Sequence, residues 1–169
     1  FDTAIRQSMG RKVDKETVIE NLKRAESYNQ AVLIIDLIYG LPAQDVDNFV
    51  NDLKIADSLP IDGMDLYQLN VFEQSALKKA IDNGKIPPAA TTKQQAKYLE
   101  AAISYLDELA YKRLSVCHWA KTNRERSMYN TLAKSGADVI PFGSGAGGFV
   151  GDISMFLNRD LQRYMNAID

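Results

Sequence analysis

The sequence predicts an α/β fold in which strands and helices alternate. Short apolar runs bounded by Gly or Pro are separated by segments with helical periodicity, each about ten to twenty residues long. The resulting order, α-β-α-β-α-β-α-β-α, is typical of right-handed βαβ units around a parallel sheet. A length of 169 residues is enough for one domain with a sizeable core.

Composition excludes several classes of function. Hydrophobic residues make up 46% and charged residues 25%, as in a globular protein, and the net charge of -2 argues against a nucleic-acid partner. No apolar run approaches the roughly 20 residues that span a bilayer, and no signal peptide is visible. A single cysteine fits a reducing compartment, so we expect a cytoplasmic protein without a membrane partner. One cysteine and one histidine cannot build a metal centre alone, so no metal ligand is predicted.

The first half of the chain predicts two helix–strand pairs. Asp14 is a good N-cap for a helix that ends near residue 28, and a strand follows over 32–38. A second helix opens at residues 43–45, with Val46, Phe49 and Leu53 on one face. After a turn at 60–63, residues 64–70 alternate as in a strand.

The second half predicts four more helices and two more strands. A short helix over 75–82 is followed by a long one through residue 111, which opens with a capping box of Thr92 and Gln95. A strand is expected over 112–117. A second capping box, Thr122 with Glu125, opens a helix closed by Gly136. A strand over 137–142, a glycine-rich loop over 143–151 and a last helix over 161–168 complete the chain.

Asp36 interrupts the most apolar strand. The run 32–38 predicts a strand buried on both faces, where an unpartnered carboxylate is costly. It lies near the carboxyl end of the strand, where parallel α/β folds place their ligand sites. A ligand contact is one explanation. A structural role, capping the next loop or pairing with an arginine, is equally favoured.

The glycine-rich loop has three interpretations. Gly143, Gly145 and Gly148 satisfy the GxGxxG pattern of dinucleotide-binding folds, but residues 149–153 do not predict the helix that such a site needs. A nucleotide-binding Rossmann domain is therefore the weaker interpretation. The glycines favour either a close approach of backbone N–H groups to a bulky ligand or a tight structural turn.

Two further positions are candidates for ligand contacts. Arg11 follows Gly10 in a polar loop and could bind a carboxylate in bidentate fashion, although a solvated surface arginine is the more frequent case. His118 could serve as an axial ligand or proton donor to a flat macrocycle. A hydrogen-bonded core residue is the more frequent case, with Trp119 beside it as packing.

Several sequence blocks resemble one enzyme family. They are Phe1-Asp2 through Gly10-Arg11-Lys12, Ile35 through Pro42 (IDLIYGLP), Leu66-Tyr67-Gln68-Leu69, and Phe142 through Ala146 (FGSGA). In this order they resemble the oxygen-independent coproporphyrinogen III oxidase family of radical S-adenosylmethionine (SAM) enzymes. The Cys-His-Trp-Ala segment at 117–120 and the glycine loop are more similar to its haem-utilisation branch, whose members resemble anaerobic haem-degrading methyltransferases.

The resemblance implies the C-terminal half of a partial (β/α)₆ TIM-like barrel. Residues 1–120 would form the second half of the barrel, and residues 121–169 a C-terminal extension that carries the glycine loop. The implied cofactors are SAM and a [4Fe–4S] cluster whose three-cysteine motif lies upstream. The fragment alone should therefore be inactive, and its exposed sheet edge should self-associate.

The resemblance also implies a function and a site. The whole protein would act on a tetrapyrrole, by anaerobic haem degradation with methyl transfer or by coproporphyrinogen III oxidation, and would need an electron donor protein. The alternative is a haem-binding or trafficking module without catalysis. No catalytic residue is assigned. The implied contacts are, for SAM, Arg11, Asp36, Asn70 and Phe149, and for the tetrapyrrole, His118, Trp119, Gly145 and Gly147.

Overall fold

The chain divides into two compact units. A computed structural model describes residues 1–168, and the units are Phe1–Arg126 and the segment that begins at Ser127. Both contain helices and strands, which confirms the predicted α/β class. Among the described residues, no helix is long and apolar enough to cross a membrane.

The first unit contains a four-stranded sheet and five helices. The strand order across the sheet is β1-β2-β4-β3. The elements are α1 (Thr3–Ser8), α2 (Lys15–Ser27), β1 (Ile34–Tyr39), α3 (Val46–Asp57), β2 (Gly63–Gln68), α4 (Ala76–Asp82), α5 (Thr92–Glu108), β3 (Lys112–Arg113) and β4 (His118–Ala120).

Only one pair of neighbouring strands in this sheet is parallel. β1 and β2 run parallel, as the alternation of strands and helices predicts. In their register Asp36 lies opposite Asp65. The expectation that the next strand also runs parallel beside them is wrong. β3 ends after two residues, the chain turns back, and β4 pairs antiparallel with both β3 and β2. The Arg113 guanidinium holds this turn by donating to the carbonyls of Ser115 and Val116.

One face of the sheet forms the core. α3 and α5 both contact β1, and the buried aromatic side chains of Tyr39, Phe49 and Tyr98 pack together with ring centroids 5.5–6.3 Å apart. Trp119 is fully buried within the same hydrophobic cluster. Burial of this apolar area is the main source of stability for the unit.

The other face of β1 is open, which corrects the prediction that this strand is buried on both faces. Ile34 and Ile38 remain 39% and 40% exposed, and Asp36 between them is also exposed. Side chains alternate along a strand, and only the alternate set, with Leu37 and Tyr39 buried, packs against the helices. The burial of Asp36 that the sequence suggests is therefore partial.

Two of the predicted helix caps differ in the structure. α5 begins one residue early, because the capping box is formed by Thr91 with Gln94 rather than Thr92 with Gln95. Thr122 and Glu125 do not cap a helix. The Thr122 hydroxyl donates to Oδ1 of Asp62, and Glu125 lies against His118.

Asp62 fastens the start of β2 to its neighbours. It is 5% exposed and accepts hydrogen bonds from the Leu33 amide (3.0 Å) and the Thr122 hydroxyl (2.7 Å). Burial by itself would raise the pKa of Asp62. These hydrogen bonds and the charge of Arg124 outweigh that effect, so its pKa lies below the ordinary value.

The second unit is built around a β-hairpin. It contains α6 (Met128–Lys134), β5 (Gly147–Val150), β6 (Ile153–Phe156) and α7 (Leu161–Ile168), with β5 and β6 antiparallel. The predicted strand over 137–142 is reduced to a single bridge between Val139 and Phe149. The hairpin itself was missed, because the glycines of residues 143–151 predict a loop.

Candidate functional site

Polar side chains collect on the open face of the sheet. Asp36, Asp65 and His118 are register partners across β1, β2 and β4, so their side chains point to the same side. Tyr67 follows on that side, two residues after Asp65, and is 42% exposed. This face is opposite to the one that packs on the helices, so a ligand can reach it without disturbing the core.

A cleft of about 390 Å³ joins Asp36 to the N-terminal segment. Arg11 and Asp36 both line it, together with Ile38, Leu41 and Met9. The sequence places Arg11 and Asp36 twenty-five positions apart, and the fold brings them to one opening at the edge of β1. The cleft thus offers a cation, a carboxylate and apolar side chains to one ligand.

The environment of Asp36 favours its protonated form. Partial burial first, and the neighbouring charge of Asp65 second, raise the pKa of Asp36 above its ordinary value. His118 acts in the opposite direction without cancelling these effects. The ionised form of Asp36 is therefore stabilised by a ligand group that donates hydrogen bonds or carries positive charge.

His118 is held between two carboxylates. It is 4% exposed, and its Nδ1 lies 2.7 Å from Oδ1 of Asp65. Its Nε2 lies 3.1 Å from Oε1 of Glu125. That second contact has the distance of a hydrogen bond but not the alignment of one. Both ring nitrogens therefore face carboxylates within this chain, and the substrate contact predicted for His118 stays a prediction.

Trp119 lies on the opposite face of the sheet from His118. It is completely buried on the face that packs against the helices, opposite to the face of His118. The Arg113 guanidinium lies 5.0 Å from its ring centroid, a cation–π contact. Trp119 is thus part of the hydrophobic core of the first unit, and its predicted substrate contact stays a prediction.

Two other predicted contacts lie outside the cleft. Asn70 is exposed just after β2, where its Oδ1 accepts a hydrogen bond from the Gln68 amide. Phe149 is half-buried in β5 of the second unit, opposite Ser154. The SAM contacts predicted for Asn70 and Phe149 therefore stay predictions.

Packing explains part of the glycine loop. A Cβ atom on Gly148 would lie 2.1 Å from the Val139 carbonyl oxygen, and one on Gly147 would lie 3.1 Å from the Phe156 ring. Gly145 has a φ of +77°, a conformation that favours glycine. These constraints support the structural interpretation of the loop. The substrate contacts predicted for Gly145 and Gly147 stay predictions.

Sequence reasoning missed three residues of this region. Asp65 and Glu125 flank His118, and Arg6 lines the same cleft as Arg11. Alternation along 64–70 already separates Asp65 and Tyr67 from the apolar positions. That signal could have assigned Asp65 to a polar face, but only the strand register shows that it adjoins Asp36.

A protein metal site is usually formed by several His, Cys, Asp or Glu side chains. Within residues 1–168, no group of three or more His, Cys, Asp or Glu side chains is arranged to hold a metal ion.

The fold is a partial α/β barrel with a cleft at the edge of β1. A solved structure of the coproporphyrinogen III oxidase HemN from Escherichia coli, described as a radical SAM enzyme, superposes with a TM-score of 0.80. The match covers 100% of the chain and 41% of that structure at 22% identity, so it shows the fold. No protein-family model matches the chain.

Three curated proteins match nearly the whole chain in sequence. The chain is 36% identical to anaerobilin synthase of Escherichia coli O157:H7, over 99% of its own length and 38% of the relative. It is 27% identical to an oxygen-independent coproporphyrinogen III oxidase of Helicobacter pylori, over 100% of the chain and 39% of that protein. It is 24% identical to the heme chaperone HemW of Bacillus subtilis, over 99% of the chain and 44% of that protein.

These proteins are homologues of the chain along its whole length. The predicted resemblance to the oxygen-independent coproporphyrinogen III oxidase-like radical SAM family, including its haem-utilisation branch, is thereby confirmed. The chain spans about two fifths of the length of the relatives it matches.

Proposed function

We propose that the cleft between Arg11 and Asp36 binds S-adenosylmethionine, and that the whole protein is a radical SAM enzyme acting on a tetrapyrrole. The observation that carries the proposal is the convergence of these two side chains on one cleft in a chain with radical SAM homologues. Both residues are also among the four that the family resemblance implies for SAM binding.

The cleft suits the chemistry of SAM. The guanidinium of Arg11 can bind the ligand's carboxylate, and Asp36 can accept hydrogen bonds from its ammonium or hydroxyl groups. Ile38 and Leu41 offer apolar surface to a flat base. When bound together with a reduced cluster, SAM supplies the radical chemistry. The residues of this chain orient the ligand and exclude water from its polar end.

The cluster does not fit this chain. Three cysteine ligands are needed and the sequence contains one, Cys117. We therefore assign the cluster ligands to residues outside these 169 and expect the chain alone to be catalytically inactive. An electron donor protein belongs to the same proposal.

The substrate class is inferred from the relatives. Coproporphyrinogen and haem, which appear in the names of two of them, are both tetrapyrroles. The exposed side chains Ile34, Ile38 and Tyr67 would give such a large, flat molecule an apolar platform beside the polar cluster. The similarity to anaerobilin synthase favours haem degradation over coproporphyrinogen oxidation as the reaction of the whole protein.

A haem-binding module without catalysis is the second candidate, favoured by the similarity to a heme chaperone. It predicts haem binding by the isolated chain in the absence of SAM. His118 is not expected to be the iron ligand, because both of its nitrogens face carboxylates. A haem absorbance titration of the chain and of His118→Ala tests this. Equal spectra support the buried role of His118, and a lost Soret shift in the variant contradicts it.

Chemical-shift mapping tests the SAM proposal. SAM is added to the ¹⁵N-labelled chain and the backbone amide signals are followed. We expect the largest changes at residues 9–11 and 36–41, while amides of α5 remain unchanged. Changes confined to other segments, or none at millimolar SAM, would remove the assignment.

A further inference from the structure

A buried histidine connects two separate clefts of the first unit. The side chain of His118 is only 6% exposed, and it bridges the carboxylates of Asp65 and Glu125. Asp65 lies on the open face beside Asp36, which lines the Arg11 cleft. Glu125 lines a second cleft of about 620 Å³, with Lys112 and Arg126. The proposed SAM site uses neither His118 nor Glu125.

The local sequence makes room for this arrangement. Gly63 is the register partner of Ala120, and a Cβ atom on Gly63 would lie 3.2 Å from Cγ of Glu125 and 2.7 Å from the Trp119 carbonyl oxygen. Any larger residue there would push Glu125 away from His118. Because Gly63 has no side chain and Ala120 has only a methyl group, Glu125 can lie over the sheet and reach the imidazole.

Stability alone is a weak reason for such a chain of groups. Burying charged or ionisable side chains costs desolvation energy, and apolar residues of similar volume frequently stabilise a core as well or better. An imidazole with a carboxylate at each nitrogen can, however, accept a proton on one side and release one on the other. Here its two sides lead to different openings.

We propose that Glu125, His118 and Asp65 form a proton relay between the second cleft and the open face of the sheet. A proton that enters from the second cleft binds the Glu125 carboxylate and passes on to Nε2 of His118, while the proton on Nδ1 passes to Oδ1 of Asp65. Glu125 becomes a carboxylate, Asp65 becomes a carboxylic acid, and the imidazole stays neutral with its proton moved to the other nitrogen. No electrons are transferred, and the reverse passage restores the starting state.

The geometry makes proton transfer from Glu125 to His118 the step that controls the relay. The His118–Asp65 contact of 2.7 Å is ready for transfer, whereas the 3.1 Å contact with Glu125 has to align first. Nδ1 cannot release its proton unless Nε2 receives one, because an imidazolate would otherwise form. Exchange of the ring proton with water therefore depends on an acidic group at position 125.

The single histidine makes this measurable in the intact 169-residue chain. With ¹⁵N-labelled histidine, saturation transfer from water gives the exchange rate of the His118 ring proton without overlap. In Glu125→Gln, which keeps the size but loses the acid, we expect exchange to slow at least about tenfold, a modest part of what positioned acid–base groups contribute. The control Glu100→Gln, on the exposed face of α5, should leave the rate unchanged.

A purely structural role gives the opposite result. Loss of a structural contact would loosen the site, so exchange in Glu125→Gln would be unchanged or faster, and either outcome overturns the relay. Protection of the Leu66 amide, which donates to the Cys117 carbonyl, verifies that the variant is folded. If Glu125→Gln does not fold, Glu125→Asp withdraws the acid by one methylene and is held to the same criterion. The experiment contains no SAM, so its result is independent of the proposed function.

Discussion

Asp36 and Asp65 are direct neighbours on parallel strands, and both carboxylates lie on the open face of the sheet. Burial and the charge of Asp65 raise the pKa of Asp36, so the ionised form of this carboxylate is destabilised on the open face. A ligand with a cationic or hydrogen-bond-donating group relieves this. The pair thus links the stability of the fold to the affinity of the site.

The raised pKa of Asp36 predicts a pH-dependent gain from Asp36→Asn. The folded state holds this proton more tightly than the unfolded state, so the chain loses stability as pH rises from the ordinary value of 3.8 toward the folded pKa. Asn removes that loss. We expect a higher unfolding midpoint than the unchanged chain at pH 7 and no gain at pH 3, measured by thermal denaturation.

Glu100→Gln is the matched control for this prediction, since it removes one exposed carboxylate from α5. It should shift the midpoint little at either pH. A lower midpoint for Asp36→Asn at pH 7 would mean that the Asp36 carboxylate stabilises the folded chain, which would contradict the prediction.

Asp62 predicts the opposite pH dependence. Its pKa is lowered by hydrogen bonds from Leu33 and Thr122 that outweigh burial, so its contribution to stability is present above 3.8 and is lost as pH falls below that value. Thr122→Val removes one bond to a charged acceptor and should cost about 1.5–3 kcal/mol at pH 7.

Urea unfolding measures this cost, with the exposed Thr92→Val as control. The difference between Thr122→Val and the unchanged chain should shrink as the solution is acidified below pH 3.8. A cost that stays constant down to pH 2 would show that the hydroxyl does not act through the Asp62 carboxylate.

Adjacent glycines of the second unit should respond differently to alanine. Gly148→Ala forces a Cβ against the Val139 backbone carbonyl and should disrupt the bridge between Val139 and Phe149. Gly147→Ala meets the ring of Phe156, which is 81% exposed and can turn aside. Hydrogen exchange of the Val139 and Phe149 amides should therefore rise in the first variant and change little in the second. Equal protection in both would refute the packing explanation of the loop.

The open edge of β1 should bind a second copy of the chain. Among the described strands, β1 pairs with β2 alone, and free strand edges seek partners. We expect sedimentation to detect dimers or larger species at high concentration, and Ile38→Lys to reduce them. Val116→Lys, which adds the same charge to the hairpin turn, should have no effect. If the unchanged chain and both variants all sediment as monomers, this association is excluded.

The sequence was most informative where its pattern was local. The amphipathic helices α2 and α3, the strands around Asp36 and Leu66 and the last helix lie close to their predicted positions, because periodicity and turn residues act over a few residues. Predicting a parallel strand after α5 failed, since the pairing of β4 with β2 depends on a turn that the sequence does not distinguish from a strand.

The site shows the same division. Arg11 and Asp36 were selected from sequence blocks, and the fold places them together. Asp65 and Glu125 were not selected, because their importance comes from contacts with a histidine 53 positions away in one case and seven in the other. Because adjacent strand residues face opposite sides of a sheet, His118 and Trp119 point in opposite directions, which the family resemblance does not show.

Calorimetric titration with SAM is the most direct test of the central claim. We expect the unchanged chain to bind SAM, Asp36→Ala and Arg11→Ala each to lose at least about tenfold in affinity, which corresponds to roughly 1.4 kcal/mol, and the exposed-site control Lys23→Ala to bind normally. Affinities for the Asp36 and Arg11 variants equal to that of the control would contradict the proposal that this cleft holds the cofactor.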